Sequence, residues 1–155
     1  QNAYDDNYTD YQDTIPHLFY YNAFLMLSNG TEAKVGTLGS KYEFFHEWKR
    51  LAEEDQGSVA LETMLRGICK KENFLDLFEN FILFDHSGGR TAKILARNHQ
   101  YLGVNEAMKA YAARKLNDGK LGVFWHTQVL VKVILWYFSH KKYAENLRVH
   151  RPLSF

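Results

Sequence analysis

The residues best suited to hold a phosphate lie late in the chain. His126-Thr127-Gln128 follow a compact apolar run, Leu121 to Trp125, at the point where a nucleotide-binding loop would begin. Such a loop needs glycines, so that backbone amides can surround the phosphate, and a lysine to neutralise it. The sequence instead continues Val129-Leu130-Val131-Lys132-Val133. Branched side chains obstruct the close backbone approach and disfavour positive φ angles, so Lys132 alone is not a phosphate site. Two other groupings, His46-Glu47 and Asp85-His86, carry metal-ligand types. Adjacent residues diverge on a helix and the scattered histidines lack ligand spacing, which makes a small metal enzyme the poorest chemical reading. Cys69 is the only cysteine, excluding an intramolecular disulfide and a multi-cysteine zinc centre, and it suits a reducing cytosol.

The bulk properties set wide bounds around these residues. With 155 residues, 46% hydrophobic and 15% aromatic, the chain can bury one modest core, as a single domain or pieces of two. A formal charge of +1 gives no concentrated field that would by itself argue for nucleic acid. The distribution is uneven, because Lys132, Lys141, Lys142, Arg148 and Arg151 crowd the last stretch against Glu145 alone. No run approaches the roughly 18 apolar residues of a membrane span, and the start is polar instead of signal-like. A soluble cytoplasmic protein is the expectation, with no membrane partner.

The elements that would position any site are mixed. Tyr4, Tyr8 and Tyr11 recur at helical spacing, and Pro16 bars continuation. Leu18 to Leu27 reads as a strand, Asn29-Gly30 as a two-residue hairpin turn, and Thr31 to Thr37 as a second strand with Ala33 and Val35 inward. Ser40 with Glu43 resembles a capping box ahead of Phe44, Phe45, Trp48 and Leu51 at helical intervals. Helices are also expected over Val59 to Ile68, over Phe74 to Phe81, and over Val104 to Leu116. Thr91 to Arg97 is either a short strand or a helix lead-in. Leu121 to Trp125 looks like a buried strand of a parallel sheet, and residues 85–89 look like a boundary between two units. The fold class is therefore α/β or α+β, without repeats or low-complexity blocks.

Several stretches, in order, carry a family resemblance: residues 3–11, Ile15-Pro16-His17-Leu18-Phe19, residues 27–36, Asn98-His99-Gln100-Tyr101, and residues 122–128. Each is weak alone; together they cover most of the chain, which resembles the large subunit of type I restriction enzymes, a family joining a nuclease to a two-lobed DNA-translocating motor. The resemblance implies four segments. Residues 1–39 would end a nuclease-like domain, 40–84 would form a helical connection, 85–128 would begin a RecA-like, helicase-like motor, and 129–155 would be an out-of-frame tail. It also implies that the nuclease metal ligands lie upstream of the residue matching Gln1, so the chain reads as a fragment inactive by itself.

The same resemblance nominates individual residues. Asn7 and Tyr11 occupy the spacing of a Gln-x-x-x-Tyr element on a nuclease-side helix, with Asn in place of Gln; the alternative is that Tyr11 packs while Asn7 faces water. Gln100 resembles the glutamine that reads adenine ahead of the phosphate loop, since an amide donates and accepts at once; the alternative is a surface glutamine beside Tyr101. Arg97 and His99 could assist locally. The intact family member would use ATP and Mg²⁺ and would work with modification and specificity subunits on double-stranded DNA. After His-Thr-Gln the family continues Gly-Ser-Gly-Lys-Ser, and a one-nucleotide shift of such codons yields Val129 to Val133. The tail's apolar run to Phe138 is then expected to form adventitious helix or strand and to favour self-association. A non-catalytic interaction module, presenting Phe44, Trp48, Phe74 and Phe78, is the competing function.

Overall fold

The structure is a computed structural model that describes residues 2–52, 54–57, 60–86, 89–123 and 135–144. The described chain is α+β. Two separate antiparallel hairpins are joined by helices, and no parallel sheet occurs among the described residues. It divides into two compact units, residues 1–98 and 99–155.

The first unit begins with a widened helical turn, Ala3–Tyr8, in which the Thr9 N–H reaches back to the Tyr4 carbonyl. It runs into helix α1, Thr9–Thr14. Pro16, which cannot donate a backbone hydrogen bond, starts a tight turn at Pro16–Phe19 instead of prolonging α1. Strand β1 is Leu25–Ser28 and β2 is Ala33–Gly36, paired Leu25 to Gly36 through Ser28 to Ala33. The expected hairpin is present, but its loop spans four residues instead of two. The Asn29 side-chain oxygen accepts from the Thr31 and Glu32 amides, which stabilises the longer loop, and Gly30 takes φ +96°. Ala33 and Val35 face inward as alternation requires.

The helix expected after the capping box does not form. Only a short turn, Tyr42–Phe44, occurs, and Phe45 is extended. Two backbone hydrogen bonds between His46 and Val35, at 2.8 and 2.9 Å, place this segment beside β2. Helical spacing of Phe44, Phe45, Trp48 and Leu51 loses to this pairing because the two inward rings find pockets only from an extended chain. Phe45 and Trp48 are buried, whereas Phe44 and Leu51 are exposed.

Helix α2, Leu61–Ile68, turns Met64, Gly67 and Ile68 inward and packs on β2. Trp48 lies directly against Gly67, where a side chain would collide with the indole. Helix α3, Lys71–Asn80, buries Leu77 and Asn80. It leads through Phe81 into β3, Ile82–Asp85, which pairs with β4, Ala92–Leu95, from Ile82–Leu95 to Asp85–Ala92. Thr91 to Arg97 thus contains a strand, and the 85–89 segment joins two paired strands within one unit. Paired strands this short are marginal alone and depend on the helices packed beside them.

Helix α4, Asn98–Ala112, starts six residues before the sequence expectation and ends four before it, with turns up to Gly119. Residues 135–144 form a further helix, α5, with Leu135 and Phe138 buried and Trp136 exposed. Within this second unit Tyr111 and Tyr143 share a hydroxyl hydrogen bond of 3.0 Å, and Lys142 donates to the Asn105 side-chain oxygen. Residues 121–123 are exposed and form no strand, so this part of the expected buried parallel strand is not found; an apolar run becomes a central strand only where neighbouring strands flank it. Phe124 to Ile134, including the whole Val129 to Val133 stretch, lie outside the described residues.

Candidate functional site

The N-terminal helical segment is fixed by its tyrosines. The Tyr8 ring is buried among Tyr4, Phe19 and Phe45, and its hydroxyl accepts the Gly39 N–H at 2.9 Å. The Tyr4 hydroxyl donates to the Ser40 carbonyl at 2.9 Å. Burial pushes the Tyr8 hydroxyl above its ordinary pKa of 10.0, against the smaller opposing effect of the Gly39 amide. A raised folded-state pKa gives stability that is complete below the unfolded tyrosine's pKa and is lost as pH rises through the folded one. Near-ultraviolet circular dichroism should therefore show the tyrosine cluster loosening only above the usual tyrosine range. Tyr8→Phe should remove that transition while leaving the neutral-pH spectrum close to the original.

With Tyr4 and Tyr8 turned inward, Asn7 and Tyr11 face outward. Both are exposed, Tyr11 by 51%: Asn7 faces water, as the alternative has it, while Tyr11 does not pack. Beside the segment lies an open cleft of about 320 Å³ lined by Tyr4, Asn29, Glu32, Lys34, Tyr42 and Glu47 among others. The Lys34 ammonium sits 4.4 Å from the centre of the Tyr42 ring, and Glu47 pairs with Lys49 at 2.8 Å. The cleft thus presents a mixed-charge wall, with its cation held over an aromatic face.

The other candidates are dispersed. Gln100 is 4% exposed on the first turn of α4, which removes the surface-glutamine alternative, while Arg97 and His99 beside it are exposed. Gln100 belongs to the second unit, and Asn7 and Tyr11 belong to the first. His46 is engaged through its backbone with Val35, and Asp85 and His86 lie at the exposed end of the second hairpin, where His86 Nδ1 meets the Thr91 hydroxyl at 3.0 Å. Among the described residues no group of three or more His, Cys, Asp or Glu side chains converges on a point that could hold a metal. His126 to Gln128 and Lys132 lie outside the described residues.

Two positions with clear structural work were not singled out by spacing. The Asn98 side-chain oxygen accepts from the Lys49 and Arg50 amides at 3.2 and 2.9 Å, while its nitrogen donates to the Arg50 carbonyl at 2.9 Å. Asn98 thereby holds the Lys49–Arg50 backbone against the start of α4. Thr37 is 3% exposed, and its hydroxyl donates to the Lys93 carbonyl on β4. Neither bond has a sequence signature, since its partner is about 50 residues away.

No family model matches the chain. Among curated proteins it is similar to the HindI type I restriction enzyme endonuclease subunit of Haemophilus influenzae, 36% identical over 95% of this chain and 15% of that protein. It is also similar to a putative type I restriction enzyme MjaIXP endonuclease subunit of Methanocaldococcus jannaschii, 27% identical over 99% of this chain and 16% of that protein. The chain thus spans about one sixth of the length of these relatives. Matches of this coverage extend beyond Gln128 into the segment expected to be out of frame. The codons of residues 129–155 decide that segment's frame.

Proposed function

Since its curated homologues are endonuclease subunits of type I restriction enzymes, we propose that this chain is a connecting segment of such a subunit and performs no turnover alone. Residues 1–39 would close a nuclease-like domain, 40–84 would connect, and 85–128 would open a helicase-like motor. The observation that carries the reading is coverage: nearly the whole chain aligns, yet with only 15–16% of each relative. A stretch of that proportion has room for about one domain, whereas cutting and translocating DNA call for a metal-binding nuclease and a nucleotide-driven motor together.

Within the complete protein the residues take distinct roles. The outward pair Asn7 and Tyr11 would lie on the nuclease-side helix, and the amide of buried Gln100 would read adenine by donating and accepting together. ATP, Mg²⁺, double-stranded DNA and the modification and specificity subunits belong to that complete protein, in the cytoplasm. No helix among the described residues is long and apolar enough to cross a membrane.

The test is direct. Purified chain supplied with Mg²⁺, ATP and plasmid DNA is expected to release phosphate and nick DNA at the rate of a protein-free control; turnover well above that control overturns the reading. A second reading, a non-catalytic interaction module, is favoured by the exposure of Phe44, Phe74 and Phe78. Capture of modification subunits by the chain, lost on Phe78→Ser with the fold intact, would support it.

A further inference from the structure

We propose that the turn formed by residues 37–40 is a two-sided joint that couples the N-terminal helical segment to strand β4. On one side the turn is gripped by the two tyrosines: Tyr8 Oη accepts from the Gly39 amide and Tyr4 Oη donates to the Ser40 carbonyl. On the other side the Thr37 hydroxyl donates to the Lys93 carbonyl. The two faces are linked inside the turn by the Thr37 and Ser40 hydroxyls, 2.7 Å apart, and by the Ser40 amide donating to the Thr37 carbonyl at 3.1 Å. Each hydroxyl has one proton. Because Thr37 commits its proton to Lys93, the Ser40 hydroxyl must donate to Thr37, so the side-chain bonds run in a fixed direction from Ser40 through Thr37 to β4.

Three features make this a coupling element instead of incidental contact. The turn is short and its central bonds are closed, so a displacement of the tyrosine grip cannot be absorbed by a slack loop. Thr37 is buried, so water cannot replace the Lys93 contact without opening the site. Lys93 is also held from its other end, its ammonium donating to the Asn22 carbonyl at 2.8 Å, between the Pro16–Phe19 turn and β1. The second hairpin is thus fastened to both flanks of the first, while β4 runs within three residues into α4. On the connecting-segment reading, the joint would tie the nuclease-side helix to the strand entering the motor; the coupling itself stands independently of that reading.

The experiment is residue-resolved backbone amide exchange on the whole chain at neutral pH, following β4 and using Met64 and Ile68 of α2 as an internal reference. Tyr8→Phe removes only the acceptor for Gly39. It should accelerate β4 exchange about threefold to tenfold, the range expected for one partly buried hydrogen bond, with α2 unchanged. Thr37→Val should accelerate β4 similarly, Thr37→Ser should restore protection, and adding Tyr8→Phe to Thr37→Val should bring no further acceleration. Unchanged β4 exchange in Tyr8→Phe, equal acceleration in α2, or additive effects in the double variant would each overturn the proposal. If Thr37→Val does not fold, Ser40→Ala breaks the same internal link at a less buried position and is read by the same criteria. Failure here leaves the turnover test untouched, because that test reads catalysis and this one reads mechanical linkage.

Discussion

Trp48→Ala is expected to lower the unfolding free energy by about 3–5 kcal/mol, the range for deleting a fully buried large aromatic, measured by urea denaturation. Trp48 is 2% exposed and fills the space that Gly67 leaves open on α2. A Cβ added at Gly67 would stand 2.3 Å from Trp48 Nε1 and 2.5 Å from its Cδ1, closer than any real contact. Gly67→Ala should therefore destabilise the wild type even though alanine favours a helix interior by about 1 kcal/mol. In the Trp48→Ala background the collision is gone, so Gly67→Ala should become neutral or stabilising. This change of sign distinguishes interlocking from general core loss. Additive effects of the two substitutions would show that the indole does not pack against Gly67.

Asn98→Ala is expected to cost about 2–4 kcal/mol, because one buried side chain satisfies three backbone groups at Lys49 and Arg50. Its removal strands partly buried amides at about 1–3 kcal/mol each where water does not reach them. Asn98→Asp is only a partial rescue: it keeps the acceptor but sets a carboxylate oxygen against the Arg50 carbonyl. The expected order of stability is Asn above Asp above Ala, with faster amide exchange at Lys49 and Arg50 in both variants. A cost for Asn98→Ala below about half a kcal/mol, the range of an ordinary surface change, would mean the tie contributes nothing.

Local rules recovered the parts of this fold whose causes are local. Pro16 stops a helix by lacking an N–H, Ala33 and Val35 alternate inward, and α2 follows its apolar spacing, whereas α3 forms where expected but leaves Phe74, Leu75 and Phe78 of its apolar set exposed. Three expectations failed, two where distant partners decide and one through a side chain's reach within its own loop. The Phe44 to Leu51 pattern has helical spacing, yet the His46–Val35 backbone pairing and the pockets for Phe45 and Trp48 hold that segment extended. The Asn29-Gly30 turn is longer than its dipeptide suggests, because the Asn29 side chain captures the amides that a two-residue loop would not present. Leu121 to Val123, apolar enough for a buried strand, is exposed.

For the candidate site, Tyr11 is exposed, as Asn7 is, and Gln100 is buried. Periodicity does not decide such points: the widened turn at Ala3–Tyr8 alters the phase of the tyrosines, and the burial of a single glutamine depends on what folds around α4. Asn98 and Thr37 were invisible as structural ties because amide and hydroxyl side chains make the same short-range signals whether they cap, solvate or bridge.

The Asn98 tie also bears on how the chain would respond to limited proteolysis. The exposed residues Leu51, Ala52 and Glu54 to Gln56, just beyond the two residues whose amides Asn98 holds, are the kind of surface positions a protease enters readily. A single nick there puts Arg50 and Asn98 on different polypeptides without touching the bonds between them, and leaves Trp48 seated on Gly67 and Thr37 on Lys93. The two pieces should migrate as one particle under native conditions and separate only in denaturant, so that a cleaved sample would pass for intact until it is boiled.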